Sequence, residues 1–305
     1  MPITKSEKIW MDGELVDWDD ATIHVLTHTL HYGTGVFEGV RAYATSQGPA
    51  VFRLTDHIER LFDSAKIFMI DIPYSVEELV EATKTTVRVN GLESCYIRPL
   101  VYLGYGEMGL NPLPCPVNVS IAVWPWGAYL GDDGIKHGVR TKISSFQRHD
   151  PNAIPPAAKG TGMYINSSLA KVEALNAGYD EAIILSPQGY VSECTGENLF
   201  VVHDGRLVTP PVTAGALAGI TQASVMTIAA DLGIECQVAN LLRSDLYLAD
   251  EAFLTGTAAE VVPIRSVDDR DLGEPGRITR EIQETYFATV RGEVDRYKDW
   301  CEHVG

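Results

Sequence analysis

Apolar and polar residues repeat with two different periods along this chain, and the switches between them mark its elements. Residues 8–18 alternate around Asp12-Gly13, which predicts a β-hairpin with that pair at the turn. The next segment carries β-branched Thr22, Ile23, Val25, Thr27 and Thr29. They favour an extended chain and argue against a helical metal face on His24, His28 and His31. A glycine-punctuated run from Leu30 ends in an alternation up to Tyr43 that predicts a strand. The period then lengthens to that of a helix capped by Thr55 or Asp56, with Ile58, Leu61, Phe62, Ala65 and Met69 on one stripe. Ser75 and Glu78 have capping-box spacing for a second helix, which Gly91 follows. Strands near 94–103 and 117–124 complete an α+β unit.

Proline and glycine interrupt both periods between Trp124 and Gly134, which predicts a domain boundary. The expected division is a small α+β domain over 1–127, an interdomain loop over 128–137 and a large domain over 138–305. The large domain should hold strands near 138–145, 181–185, 190–194, 234–239, 251–256 and 261–267, with a hairpin around Asp204-Gly205. Helices are expected over about 163–177, stopped by Gly178, from Gly219 to Gly233 as an amphipathic helix, and from about 277. This mixture predicts an α+β or α/β fold.

Composition narrows the class. A chain of 305 residues can bury a large core and divide in two, and 45% hydrophobic with 21% charged residues is ordinary for a soluble globular protein. The net charge of −17 argues against nucleic acid or an anionic membrane as partner, since either needs a basic surface. Cysteines 95, 115, 194, 236 and 301 are odd in number and lack metal-ligand or redox spacing, so reduced thiols are expected. With no apolar leader at the N-terminus and no run of about 18 apolar residues, neither signal peptide nor membrane span is expected, which implies a cytoplasmic chain.

The candidate chemistry centres on Lys159. It is the only formal charge between Asp150 and Lys171, with Ala157, Ala158, Gly160 and Gly162 around it. Small neighbours leave room for a flat group to reach the amine, and an apolar setting disfavours an amine's charged form. Schiff-base chemistry needs both, although an ordinary loop lysine fits the segment too. A lysine with a distant acid on a predicted strand, here Glu193, suggests pyridoxal phosphate, whose ring nitrogen requires such an acid. Gly215-Ala-Leu-Ala-Gly-Ile-Thr221 precedes a helix start and Thr255-Gly-Thr-Ala-Ala259 follows a strand, so each is either a phosphate turn or a plain capped turn. Arg60 either binds phosphate or pairs with Glu59 or Asp63 in solvent. Tyr96 and Arg98 share one strand face, suited to a substrate carboxylate or to a wet sheet surface.

Seven motifs in order resemble the class IV, or fold type IV, pyridoxal-phosphate aminotransferases, and within them the branched-chain amino acid aminotransferases. They are Phe37-Glu-Gly-Val-Arg41, Arg60-Leu-Phe-Asp-Ser-Ala-Lys66, Tyr96-Ile-Arg-Pro99, Ala158-Lys-Gly160, Ser192-Glu-Cys-Thr-Gly-Glu-Asn-Leu-Phe200, Gly219-Ile-Thr221 and Gly256-Thr-Ala258. The resemblance spans nearly the whole chain and implies a two-domain fold like that of D-amino acid aminotransferase. It implies Lys159 as the Schiff-base lysine, Glu193 on the ring nitrogen, Tyr164 on the ring oxygen, and Arg60, Ile220, Thr221 and Thr257 on the phosphate. Gly196, Glu197, Asn198, Leu217, Gly219 and Gly256 would complete the cofactor site. Tyr96, Thr257 and Ala258 would take the substrate carboxylate, while Phe37, Gly39, Arg41, Trp126, Tyr129 and Tyr164 would line the side-chain pocket. Arg98 would pair with the distal carboxylate of glutamate, and Tyr32 and Leu110 would reach a neighbouring subunit's pocket in a homodimer.

The implied reaction moves an amino group between leucine, isoleucine or valine and 2-oxoglutarate, giving 2-oxo acids and glutamate. Rivals of the same fold are D-amino acid aminotransferase, (R)-amine aminotransferase and aminodeoxychorismate lyase; the run from Gly104 to Pro112 with Tyr96 and Arg98 resembles the branched-chain type more closely. Cys194-Thr195 departs from the small-residue pair of some relatives. A non-catalytic phosphate- or nucleotide-binding module is the rival of another class, against which Lys159 stands.

Overall fold

Asp12 and Gly13 adopt the left-handed backbone, φ 48° and 99°, that closes β1 (Lys8–Met11) against β2 (Glu14–Asp17) as the alternation predicts. The structure is a computed structural model describing residues 3–127 and 129–305. By contacts it falls into two units, the first holding the chain up to Gly127, Ala158–Met163 and Ala288–Gly305.

After the hairpin comes α1 (His28–Tyr32), where the β-branched composition predicts an extended chain. Tertiary bonds override that preference: the buried His28 ring is 2.7 Å from Thr34 Oγ1 and 2.9 Å from the Gly109 carbonyl. Strands β3 (Gly35–Phe37), β4 (Val40–Thr45) and β5 (Gly48–Phe52) lead into α2 (Leu54–Ile67). This helix buries Ile58, Leu61 and Ala65 of the stripe expected of it, adds Leu54, and packs a partly buried Phe62 against the core. Its ends differ from expectation. Arg53, in the left-handed region, is the N-cap rather than Thr55 or Asp56. Met69 lies past the last turn at φ 58° and is 69% exposed. The capping box of Ser75 and Glu78 opens α3 (Val76–Val89), and β6 (Cys95–Leu103) and β7 (Val117–Trp124) follow as antiparallel partners.

The second unit holds Tyr164–Phe287 and the residues between Gly127 and Ala158. The expected interdomain loop begins at Ala128, outside the described residues, and most of the rest of it is a helix, α4 (Gly131–His137). Strand β8 (Val139–Gln147), α5 (Tyr164–Asn176) and β9 (Glu181–Leu185) form a parallel crossover. Then come β10 (Val191–Cys194), β11 (Asn198–His203), β12 (Arg206–Thr209), α6 (Ile220–Asp231) and β13 (Cys236–Val238). The unit closes with α7 (Arg243–Tyr247), β14 (Glu251–Gly256), β15 (Glu260–Val267), β16 (Arg270–Asp271) and α8 (Arg277–Val290), which ends in the first unit. The order of its main sheet is β10-β9-β8-β15-β14-β11-β12-β13, with β16 on β15. Helix α6 buries one face, Ile220, Thr221, Gln222, Ser224, Val225, Ile228 and Ala229, and leaves Ala223, Thr227, Ala230 and Asp231 exposed; with Thr221, Gln222 and Ser224 inside and alanines outside, its two faces differ in burial more than in polarity.

The chain returns to the first unit with β17 (Cys301–His303), antiparallel to β5, and that sheet runs β17-β5-β4-β6-β7-β1-β2 with β3 on β6. Contacts therefore divide the chain differently from a linear cut after residue 127. A bridge between Val36 and Gly160 ties the Lys159 segment to β3, and β17 ties the C-terminus to β5. Each unit has its own apolar core: Val40, Leu61, Ile97 and Ile121 in the first, Val191, Leu199, Leu254 and Val262 in the second. Burying each such side chain contributes about 1.5–3 kcal/mol. All five cysteines are free, and among the described residues no helix is long and apolar enough to cross a membrane.

Candidate active site

In the first unit, Lys159 is held at both ends of its peptide unit. Its N–H donates to Ser64 Oγ of α2 at 3.0 Å, and its carbonyl accepts from the Phe37 N–H at 3.1 Å. Close packing demands the glycine after it, since a Cβ on Gly160 would stand 2.5 Å from the Phe68 ring. The amine lies 5.4 Å from the centre of the Phe37 ring, and the Arg98 guanidinium lies 4.7 Å from the same centre.

Around that ring the strands build an aromatic wall. Tyr96 packs 5.1 Å from Trp124 and 4.3 Å from Trp126, centre to centre. Tyr96 and Arg98 do share a face: Arg98 Nη2 donates to Tyr96 Oη at 3.3 Å while Ile97 is buried on the other side. This is no wet outer surface, for Arg98 Nε is buried without a partner among the described residues. Arg41 donates to the Trp126 carbonyl at 3.3 Å, and Gly39 admits the Tyr96 hydroxyl, which would lie 2.1 Å from a Cβ there. Tyr32, 43% exposed, donates to the Met108 carbonyl, and Leu110 is 85% exposed.

Arg60 pairs with Glu38, outside its own helix. Its Nε and Nη2 donate to the two oxygens of Glu38 at 2.7 and 2.8 Å, and His57 Nδ1 lies 2.8 Å from Glu38 Oε2. Glu38 is fully buried. Burial raises its pKa, but the Arg60 charge and the His57 bond outweigh that and hold the carboxyl well below the usual range. Burial lowers the His57 pKa; the bond and charge of Glu38 oppose that shift, and the Arg60 and Lys159 charges add to it.

The second unit is organised around Glu193, whose side chain is 7% exposed. Arg148 Nη2 donates to Oε1, the Leu217 N–H donates to Oε2 at 2.9 Å, and Asn198 Nδ2 lies 3.5 Å from the same oxygen. Asn198 also donates to the Leu217 carbonyl at 2.9 Å. Donors on both oxygens favour the ionised form. Helix α6 begins at Gly219 with no side-chain cap, and its first ladder bond is Ala223 N–H to the Gly219 carbonyl at 2.9 Å. The N–H groups of Ile220, Thr221 and Gln222 thus lie ahead of the ladder, where a helix accepts an anion. Gly219 itself leaves space that a Cβ would fill, 1.9 Å from Asn198 Oδ1.

Beside Glu193, the turn from Cys194 to Glu197 covers a second acid cluster. Glu181 accepts from Lys171 at 2.6 Å and from Thr195 at 2.7 Å, while Glu197 accepts from the Gly196 N–H at 3.1 Å. Burial, and then Glu181, push Glu197 above the ordinary carboxylate range. Tyr129 packs on this unit's core with Lys171 Nζ 5.3 Å from its ring centre. Tyr164 opens α5; Gly256 ends β14 close to the Gly196 carbonyl, and Thr257 and Ala258 lie in the turn to β15.

Of the residues singled out in the sequence, Lys159, Arg60, Phe37, Gly39, Arg41, Tyr96, Arg98 and Trp126 lie in the first unit, with Tyr32 and Leu110 at its surface. The second unit brings together Glu193, Asn198, Leu217 and the Gly219–Thr221 turn, and holds the remainder. Sequence reasoning missed Arg148, Glu38, His57 and Ser64. A carboxylate flanked by Val36-Phe37 and Gly39-Val40 was a readable signal for Glu38; Arg148, amid polar neighbours, offered none.

The first unit holds an amine in a close-packed apolar segment, and the second holds a fixed carboxylate and an uncapped helix start. These donor types suit a flat anionic cofactor such as pyridoxal phosphate. The family profile described as Amino-transferase class IV matches residues 35–267, and the chain belongs to that family. Within it the chain is similar to the branched-chain-amino-acid aminotransferase of Pseudomonas aeruginosa, 52% identical over 294 residues, covering 96% of this chain and 95% of that one. The crystal structure of the Escherichia coli branched-chain amino acid aminotransferase matches with TM-score 0.97 at 47% identity, over 99% of this chain and 100% of that one. A branched-chain amino acid aminotransferase from T.th., complexed with N-(5′-phosphopyridoxyl)-L-glutamate, matches with TM-score 0.95 at 47% identity, over 99% of both chains.

Proposed function

We propose that this chain is a pyridoxal-phosphate aminotransferase exchanging the amino group of leucine, isoleucine or valine with 2-oxoglutarate. The observation that carries it is the buried Glu193 carboxylate, held by donors from Arg148, Leu217 and Asn198. Such an acid suits a protonated pyridine nitrogen. Pyridoxal phosphate, when bound, supplies an aldehyde that condenses with amines and a ring that accepts electrons from the substrate Cα.

Lys159 supplies the amine and moves the proton released at Cα. Ile220 and Thr221, with the N–H groups ahead of the α6 ladder, hold phosphate, joined by Arg60 and Thr257. Gly196, Glu197 and Gly256 support the ring's surroundings, and Tyr164 meets its oxygen. Phe37, Tyr96 and Trp126 give the aliphatic side chains an apolar wall, and Tyr129 is the further lining residue that the resemblance implies. Arg98, whose Nε has no partner among the described residues, takes the distal carboxylate of glutamate in the second half-reaction. Arg41 and Gly39 hold Trp126 and Tyr96 in place, and Tyr96 with Thr257 and Ala258 takes the α-carboxylate.

The protein works as a homodimer in the cytoplasm. Exposed Val25, Leu26, Leu30, Tyr32, Leu110 and Leu113 support a second copy against the first unit, and five free thiols suit a reducing compartment. The expected domain roles follow: the larger unit carries most of the cofactor contacts.

Purified protein should be yellow, and borohydride should bleach it and leave the cofactor covalently attached to Lys159. L-Leucine should discharge the colour faster than D-alanine or (R)-1-phenylethylamine. Colourless protein that takes up no pyridoxal phosphate, or preference for either of the last two amines, overturns this reading.

A further inference from the structure

Glu38 is a charged residue in an apolar strand motif, and the backbone is shaped to turn it inward. Strand β3 stops at Phe37 and β4 starts at Val40, both pairing with β6. Residues 38 and 39 fall in the gap opposite Pro99, whose missing N–H is not needed there, and the Glu38 N–H donates to the Pro99 carbonyl at 2.9 Å. The side chain meets one face of α2, which presents His57, Arg60 and Ser64 at successive turns. Arg60 binds both carboxylate oxygens, His57 binds one of them, and Ser64 binds the Lys159 N–H. One helix face thus fixes both a guanidinium and the backbone of the reactive lysine.

A buried ion pair of this kind is poor evidence for stability, because well-packed apolar residues serve that end as well. Its geometry has another consequence. Glu38 occupies the Nε–Nη2 edge of Arg60, so the planar guanidinium cannot swing about its long side chain. We propose that Glu38 is a positioning residue that, through Arg60, sets the strength with which the protein grips the 5′-phosphate of pyridoxal phosphate. This rests on the cofactor reading above.

Two effects oppose each other when Glu38 loses its charge. Arg60 keeps more net positive charge, which favours phosphate, and it loses its fixed direction, which disfavours it. The Arg60 side chain is 14% exposed, so once released it has water to turn toward rather than remaining buried and unpaired. Loss of direction therefore wins.

The test compares two aldehydes that differ only in the phosphate. Full-length protein is stripped of cofactor, and imine formation is titrated spectroscopically with pyridoxal phosphate and, separately, with pyridoxal. The ratio of the two dissociation constants measures the phosphate's share of binding. Glu38→Gln keeps the shape and one acceptor but turns an amide N–H toward Arg60 Nη2 and His57. It should cut the ratio about tenfold, about 1.4 kcal/mol, with pyridoxal bound as in the wild type. Arg60→Ala should cut the ratio at least as far, and adding Glu38→Gln to it should change nothing more. Glu38→Asp, retracted by one methylene and retaining the charge, should give an intermediate ratio and covers the event that Glu38→Gln does not fold. Equal weakening of both aldehydes in Glu38→Gln, or an unchanged or raised ratio, overturns the proposal. A wild-type protein that forms no imine with either aldehyde overturns the cofactor reading as well, whereas a phosphate preference that survives every Glu38 variant overturns the role of Glu38 alone.

Discussion

Arg148 donates from Nη2 to Glu193 Oε1, and both side chains are 7% exposed. Arg148 is anchored in turn, by the Ser167 hydroxyl at 3.2 Å and the Gly215 carbonyl at 3.4 Å. The pair favours the charged form of Glu193, the acid proposed for the pyridine nitrogen. Arg148→Met leaves a buried carboxylate with two weaker donors, at an expected cost of about 3–5 kcal/mol. Urea unfolding of cofactor-free protein checks the loss, and the variant should also transaminate slowly at neutral pH, because a protonated Glu193 no longer keeps a ring nitrogen charged.

Gly39 leaves room for the Tyr96 hydroxyl, so under the proposed function it should govern specificity. A Cβ there would stand 2.1 Å from Tyr96 Oη, and the ring is boxed in by Trp124 and Trp126. Gly39→Ala must push the hydroxyl away from Arg98, breaking the 3.3 Å bond. Steady-state kinetics should show kcat/KM for 2-oxoglutarate falling about tenfold, about 1.4 kcal/mol. Overpacking should cost a further 1–3 kcal/mol of stability, roughly, by denaturant unfolding.

Glu197 should make the protein less stable as pH rises. Burial and then Glu181 raise its pKa from the ordinary 4.5, so the folded state keeps a proton that the unfolded chain gives up. The stability this group contributes is complete below about pH 4.5 and is lost progressively through neutrality, at no more than about 1.4 kcal/mol per pH unit. Glu197→Gln should therefore gain Tm relative to the wild type on going from pH 5 to about 8, by scanning calorimetry of cofactor-free protein. A constant difference between the two would contradict the assignment.

His149 acts in the opposite direction. Burial, and then Arg148, lower it from 6.5 to about 4, and its Nε2 is buried without a partner among the described residues. The folded state keeps the ring neutral while the unfolded chain takes up a proton, so stability from this group is lost as pH falls from 6.5 to about 4. His149→Gln should narrow its Tm difference from the wild type, or reverse it in its own favour, over that window.

Much of this protein was legible in its amino-acid order. The strand at 117–124 and the strand at 181–185 have the bounds their periodicity predicts, and the capping box of Ser75 and Glu78 opens α3 as its spacing requires. Those features depend on neighbours within a turn or a strand, which a local pattern contains. The candidates Lys159 and Glu193 were visible for the same reason: one is a solitary charge among small residues, the other an acid on an apolar strand.

Charge pairing was not legible. Arg60 has two acids within reach on its own helix, yet it binds Glu38, 22 positions away, because the break between β3 and β4 aims that side chain at α2. Arg148 finds Glu193 across 45 positions. The unit boundaries depend on the same long-range placement, with Gly160 bridged to Val36 and β17 paired to β5. The sequence by itself determined the elements and the reactive residue types, since those follow from local periodicity and local charge. Only the tertiary structure decided which charges neutralise one another and which stay poised for a ligand, since a buried ion is governed by whatever the fold brings within about 3 Å of it.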